Sequence, residues 1–149
     1  MIHNIIGDEV EYPIFCETPL RRIRRLPQEA FDMNRRLIRM LGTEELFGTV
    51  RIVKMNDRKL CVLMYPERDG RTDYTGLRHC LEALAEFIKE NVEPETPIAL
   101  PHGIGCGRGW GDWDVVRRII EYFAYLVPND VYVCIASESK IPATQKGRE

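Results

Sequence analysis

Apolar and polar positions along the 149-residue chain alternate between two periods, about 2 and about 3.6, which are the signatures of strand and helix. Residues 2–6 (IHNII) and 10–16 (VEYPIFC) read as short strands around a turn at Gly7-Asp8. Pro13 cannot donate to a ladder, which confines the second strand to a sheet edge or a short length. A basic stretch, PLRRIRR, follows. Pro27 suits the first turn of a helix, with Glu29 near its positive end. That helix carries Phe31, Leu37, Ile38 and Leu41, and Gly42 suits the position just past its end. Residues 48–56 (GTVRIVKMN) and 59–65 (KLCVLMY) are two β-rich runs, with Asn56-Asp57 as the hairpin turn between them. The polar segment PERDGR reads as a loop.

From Thr72 or Asp73, either of which can cap a helix, the period returns to 3.6. Tyr74, Leu77, Leu81, Leu84 and Ile88 form one stripe. A buried-type strand at 97–100 (PIAL) comes next, then a glycine-rich segment. A second helical stripe follows, of Val116, Ile119, Ile120, Phe123 and Leu126, and 131–136 (VYVCIA) is the last strand. The order helix, strand, glycine loop, helix, strand favours neighbouring parallel strands covered by helices. The expected fold is three-layer α/β/α with a mixed central sheet. One domain is expected over 1–137, and residues 138–149, where apolar periodicity is lost, read as a mobile tail.

Composition narrows the class without choosing a function. The formal net charge of −2 removes a generic polyanion binder, and no apolar run approaches the roughly 20 residues of a membrane span. The opening residues lack the basic and apolar regions of a signal peptide. The five cysteines, Cys16, Cys61, Cys80, Cys106 and Cys134, are odd in number and form no CxxC pair. They read as reduced thiols of a cytoplasmic protein, with no metal site and no cofactor expected.

The candidate chemistry lies in PHGIGCGRGWGDWDVV, residues 101–116, with glycine at 103, 105, 107, 109 and 111. If the segment is extended, alternate side chains share one side, so one face carries only hydrogen and a ligand can meet backbone N–H groups directly. If it turns, glycine permits positive φ without steric cost. Either way the bare backbone follows a strand and enters a helix near Asp112, an arrangement that favours phosphate or diphosphate. The spacing matches neither GxxxxGK[ST] nor GxGxxG. A tight structural turn is the plainer alternative. Asp112 has two readings, helix N-cap or general base, and as a cap it competes with an anion at the same helix end. Trp110 reads as a lid over a flat ligand group, and Trp113 as the first core residue of the helix. Arg108 supplies positive potential or faces solvent. His102 and Cys106 could form a base and nucleophile, but on an extended chain they are about 13 Å apart. His79 falls between apolar helix positions, partly exposed, and His3 says nothing.

These residues carry a resemblance. ALPHGIGCGRGWGDWDVVRRIIEYF is similar to the second phosphate-binding loop of macro domains, ADP-ribose-binding modules, in their compact bacterial and phage branch. There the pattern Pro-x-x-Ile-Gly-Cys-Gly-x-Gly-Gly-x-x-Trp precedes the last major helix. IIGDEVEYPIF resembles the opening strand-turn, LFGTVRIVKMNDRKLCVLMYP the middle hairpin, and ERDGRTDYTGLRHCLEALAEF the segment after it, so the likeness runs from about residue 3 to 136. It implies a macro-domain-like fold and a diphosphate and ribose cradle. By that likeness Gly105, Cys106, Gly107, Arg108 and Gly109 would offer backbone contacts and Asp8 would bind the adenine amino group; Gly103, Ile104 and Trp110 complete the candidate ligand-binding set.

The likeness fails at the first ligand loop. The family's Asn-x-x-Gly-x-Met-Gly-x-Gly loop is replaced by IFCETPLRRIRRLPQEAFDMNRR, which is shorter and has neither asparagine nor glycine between Phe15 and the helix. A family lysine just after the middle hairpin is absent from MYPERDG, and its partner aspartate falls at Gly109. Residues 20–40 instead hold seven arginines (21, 22, 24, 25, 35, 36 and 39) against Glu29 and Asp32. That excess is a solvated face, or it places guanidinium groups on phosphates of a ligand or nucleic acid. No aromatic residue interleaves Arg21–Arg25, so base stacking there is not signalled.

Three functions are thus open. The first is a binding module for ADP-ribose or a related nucleotide diphosphate, with weak or no hydrolysis. The second is an ADP-ribosyl hydrolase or ADP-ribose 1″-phosphate phosphatase using Asp112 or Glu17. The third is a protein or nucleic-acid interaction module whose phosphate-bearing partner meets the Arg21–Arg25 face.

Overall fold

A computed structural model describes residues 2–6, 28–54, 60–104, 106 and 109–135. Among these, seven strands and three helices run in the order β1 (Ile2–Ile6), α1 (Gln28–Leu46), β2 (Val50–Lys54), β3 (Leu60–Met64), β4 (Glu67–Arg68), β5 (Arg71–Thr72), α2 (Tyr74–Asn91), β6 (Ile98–Pro101), α3 (Trp113–Leu126) and β7 (Val131–Ile135). The expected strand at 10–16, the Asn56-Asp57 turn and the tail lie outside the described residues.

Strands β1, β7 and β6 form a parallel sheet in that order, with Ile2 and Ile98 both paired to Val131. Strands β2 and β3 form an antiparallel ladder from Val50↔Met64 to Lys54↔Leu60. The hairpin alternates with period 2 between two cores. Val53, Cys61 and Leu63 pack with Ala30, Met33 and Leu37 of α1. Val50, Ile52, Leu60, Val62 and Met64 pack into a larger cluster of α2, α3, β6 and β7, which includes Leu77, Leu81, Leu84, Ile88, Val116, Ile120, Phe123, Val131 and Val133. Helices therefore cover both faces of the hairpin, and the chain is α/β with parallel and antiparallel pairing both present.

Local chemistry sets the boundaries. Asp73 is the N-cap of α2 and accepts from the Gly76 amide at 2.8 Å. Gly42 has φ +80° and ψ 161°, a combination that only glycine adopts cheaply. It ends the regular part of α1 as expected, but one further turn, Thr43–Leu46, follows and buries Leu46 completely. The expected loop PERDGR is instead a minimal hairpin. Its Asp69-Gly70 tip takes φ +55° and +77°, the primed geometry that matches strand twist, and Glu67 pairs with Thr72. Gly76 lies buried under Phe47, whose ring carbons would be 2.6 Å from an added Cβ, and Arg68 stacks 3.9 Å above the same ring.

Candidate functional site

The glycine segment leaves the sheet at Pro101, the last residue of β6. Strand β1 runs parallel to β6 on the other side of β7, and so its last residue, Ile6, lies at the same edge. Open α/β sheets place ligands at that carboxyl edge. Asp8, Glu17, Arg21, Arg22, Arg24, Arg25, Gly105, Gly107 and Arg108 lie outside the described residues. Gly103, Ile104, Cys106, Gly109, Trp110, Gly111 and Asp112 are described.

The segment turns rather than extends. Gly103 has φ +77°, the Ile104 amide donates to the Pro101 carbonyl at 3.3 Å, and the Cys106 amide donates to the Gly103 carbonyl at 2.9 Å. Ile104 and Cys106 place partly buried side chains against the main core. The spacing of about 13 Å expected between His102 and Cys106 assumed an extended chain and does not apply to this turn. The site nevertheless offers no ready thiolate. Burial first, and then the Asp112 carboxylate, push the Cys106 thiol up to about 11. His102 lies against Trp113, with ring centroids 4.3 Å apart.

The far side of the loop is held at two points. The Thr72 amide of β5 donates to the buried Gly109 carbonyl at 2.8 Å. The Asp112 amide donates to the Tyr74 hydroxyl oxygen at 3.0 Å. Between these tethers Trp110 adopts φ +61° with 77% of its surface exposed. The left-handed region costs a non-glycine residue roughly 1–2 kcal/mol. Glycine takes this backbone without that cost. Trp113, one turn of chain further, is only 8% exposed and opens α3 as a core residue.

Asp112 caps α3, its carboxylate accepting from the Asp114 amide at 2.9 Å. The Val115 and Val116 amides donate to the Asp112 carbonyl. The amides of 112, 114, 115 and 116 thus all have protein partners, and a carboxylate stands at the positive end of the helix. An anion at this helix end therefore meets a carboxylate and few open amides. Sequence reasoning missed Tyr74 and Thr72. Tyr74 reads as one more member of an apolar stripe, and a backbone amide of a two-residue strand leaves no mark on the residue code.

Cys61, Cys80 and Cys106 are free thiols, and no group of three potential metal ligands occurs among the described residues. Burial raises Cys61 and Cys80 to about 11, and the Cys80 thiol donates to the Thr49 carbonyl at 3.3 Å. His79 is exposed. Among the described residues no helix is long and apolar enough to cross a membrane.

No family model matches the chain, and no curated protein is similar to it in sequence. Its structure is similar to the macrodomain of Mycobacterium tuberculosis DarG, with a TM-score of 0.52 and 17% identity over 91% of this chain and 88% of that one. The fold is that of a macrodomain.

Proposed function

We propose that the chain is a binding module for ADP-ribose or a related nucleotide diphosphate, with weak or no hydrolysis. The observation that carries this reading is the turned, glycine-rich Gly103–Asp112 segment at the carboxyl edge of a parallel sheet in a macrodomain fold. Gly103, Ile104, Gly105, Cys106, Gly107, Arg108 and Gly109 line the diphosphate with backbone, Trp110 lies over a flat ligand group, and Asp8 takes the adenine amino group. Since the Ile104 and Cys106 amides already close turns, the other loop amides carry most of the contact.

Two observations favour binding over turnover. The Asp112 carboxylate is engaged as a helix cap, and the Cys106 thiol is held protonated. Calorimetry with ADP-ribose, ADP and NAD tests the reading. Saturable heat with ADP-ribose, and little ADP-ribose released from a modified substrate, is the expected result. Absence of both heat and thermal shift with all three ligands would remove it.

A further inference from the structure

Trp110 sits where the backbone asks for glycine, and burial does not explain its presence. Its φ is +61°, yet 77% of the side chain meets solvent. The residues on either side are fastened to different elements, Gly109 to β5 through the Thr72 amide and Asp112 to α2 through the Tyr74 hydroxyl. A strained residue held between two tethers and left 77% exposed gains little for the fold from its ring. Such strain persists where the surroundings impose it and is commonly part of a binding device.

Resting on the binding-module reading, the geometry points to Trp110 as a specificity-determining stacking residue. It presents its indole to a heteroaromatic ring of a ribose-phosphate ligand, so that the site selects ring-bearing ligands over bare sugar phosphates. A rigid indole loses little conformational freedom when a planar ring stacks on it, and every such ring has a π-face to offer. The ring can come from the adenine end or from a nicotinamide on the distal ribose.

The test compares the unaltered chain with Trp110→Gly and Trp110→Phe, using ADP-ribose, nicotinamide mononucleotide, ribose 5-phosphate and pyrophosphate. Trp110→Gly removes the ring and suits the backbone, so its Tm should be no lower than that of the unaltered chain. It should weaken at least one ring-bearing ligand by about tenfold to a hundredfold and leave ribose 5-phosphate and pyrophosphate unchanged. Trp110→Phe should restore most of the loss. Selective loss of ADP-ribose identifies adenine as the ring, and selective loss of nicotinamide mononucleotide identifies the other end. Ligand should also quench the emission of the exposed indole, which the buried Trp113 does not share. If Trp110→Gly binds ADP-ribose and nicotinamide mononucleotide as tightly as the unaltered chain, the stacking role is overturned and the binding-module reading stands. Equal weakening of all four ligands together with a lowered Tm would make Trp110 structural and likewise overturn it. If the unaltered chain binds none of the four, both readings fall.

Discussion

At the scale of single residues, one carboxylate acts on the loop in two ways. Asp112 caps α3 and, through its charge, helps keep the Cys106 thiol neutral. Asparagine caps a helix about as well as aspartate. Asp112→Asn should therefore leave Tm within a degree or two, while Cys106 reacts faster with a thiolate-selective alkylating agent at pH 8; mass-resolved alkylation rates check this. Asp112→Ala, which loses the cap, should cost about 1 kcal/mol in a denaturant titration. The cap reading of Asp112 was visible in the sequence, because an aspartate before an apolar helical stripe has few other structural uses. Tyr74's hydroxyl bond to the loop was not, since periodicity reports only which face a residue shares.

Three thiols, Cys61, Cys80 and Cys106, share a further consequence. Burial holds each at about 11 in the fold, above the ordinary thiol value of 9.0. Between those values the unfolded chain releases protons that the folded chain keeps, so unfolding becomes easier as pH rises. Stability from these groups is complete below about pH 8.5 and is lost as pH climbs toward 11. A series of melts from pH 7 to pH 11 should show a flat Tm and then a fall, and Cys61→Ala or Cys80→Ala should shallow that fall while lowering the plateau.

At the scale of elements, the helices and long strands were legible and the small turns were not. Period 2 placed β6 and β7 within one residue of their observed ends, and the stripes read at period 3.6 fall inside α2 and α3. PERDGR hid a hairpin because its flanking strands are two residues long and carry no apolar alternation, leaving Asp-Gly as the one signal. The α1 stripe also promised more burial than it delivers: Phe31, Ile38 and Leu41 are exposed, and Ala30 and Leu46 are the buried residues. Gly76 shows the reverse case, a glycine inside a good helix with a packing reason that sequence could not supply. Alanine there gains about 1 kcal/mol of helix propensity but drives a methyl into the Phe47 ring, at a cost of roughly 1–3 kcal/mol. Gly76→Ala should be destabilised by about 1 kcal/mol, whereas Asp73→Ala should lose about 1 kcal/mol through its cap alone, both read by urea unfolding.

At the scale of the whole molecule, one apolar cluster joins α2, α3, the hairpin and the parallel sheet. Phe123 lies at 0% exposure within it. Phe123→Ala should cost about 3–5 kcal/mol and lower Tm by roughly 10 °C, a large part of the 5–15 kcal/mol typical of a domain. The three-layer plan was legible because αβαβ order leaves few ways to bury both faces of a strand. The candidate site was legible only on one side. Alternating glycines announced the loop, but the turn at Gly103, the satisfied amides at the start of α3 and the strained Trp110 depend on contacts made across the chain.

The bond from the Thr72 amide to the Gly109 carbonyl makes the Asp69-Gly70 ribbon a lever on the loop. Its proton is also an isotope clock. Deuterium can replace that proton only when the loop lifts from β5. Its exchange time in the free protein therefore measures how often the loop opens, and the slowing on adding a ligand measures how firmly that ligand clamps it shut.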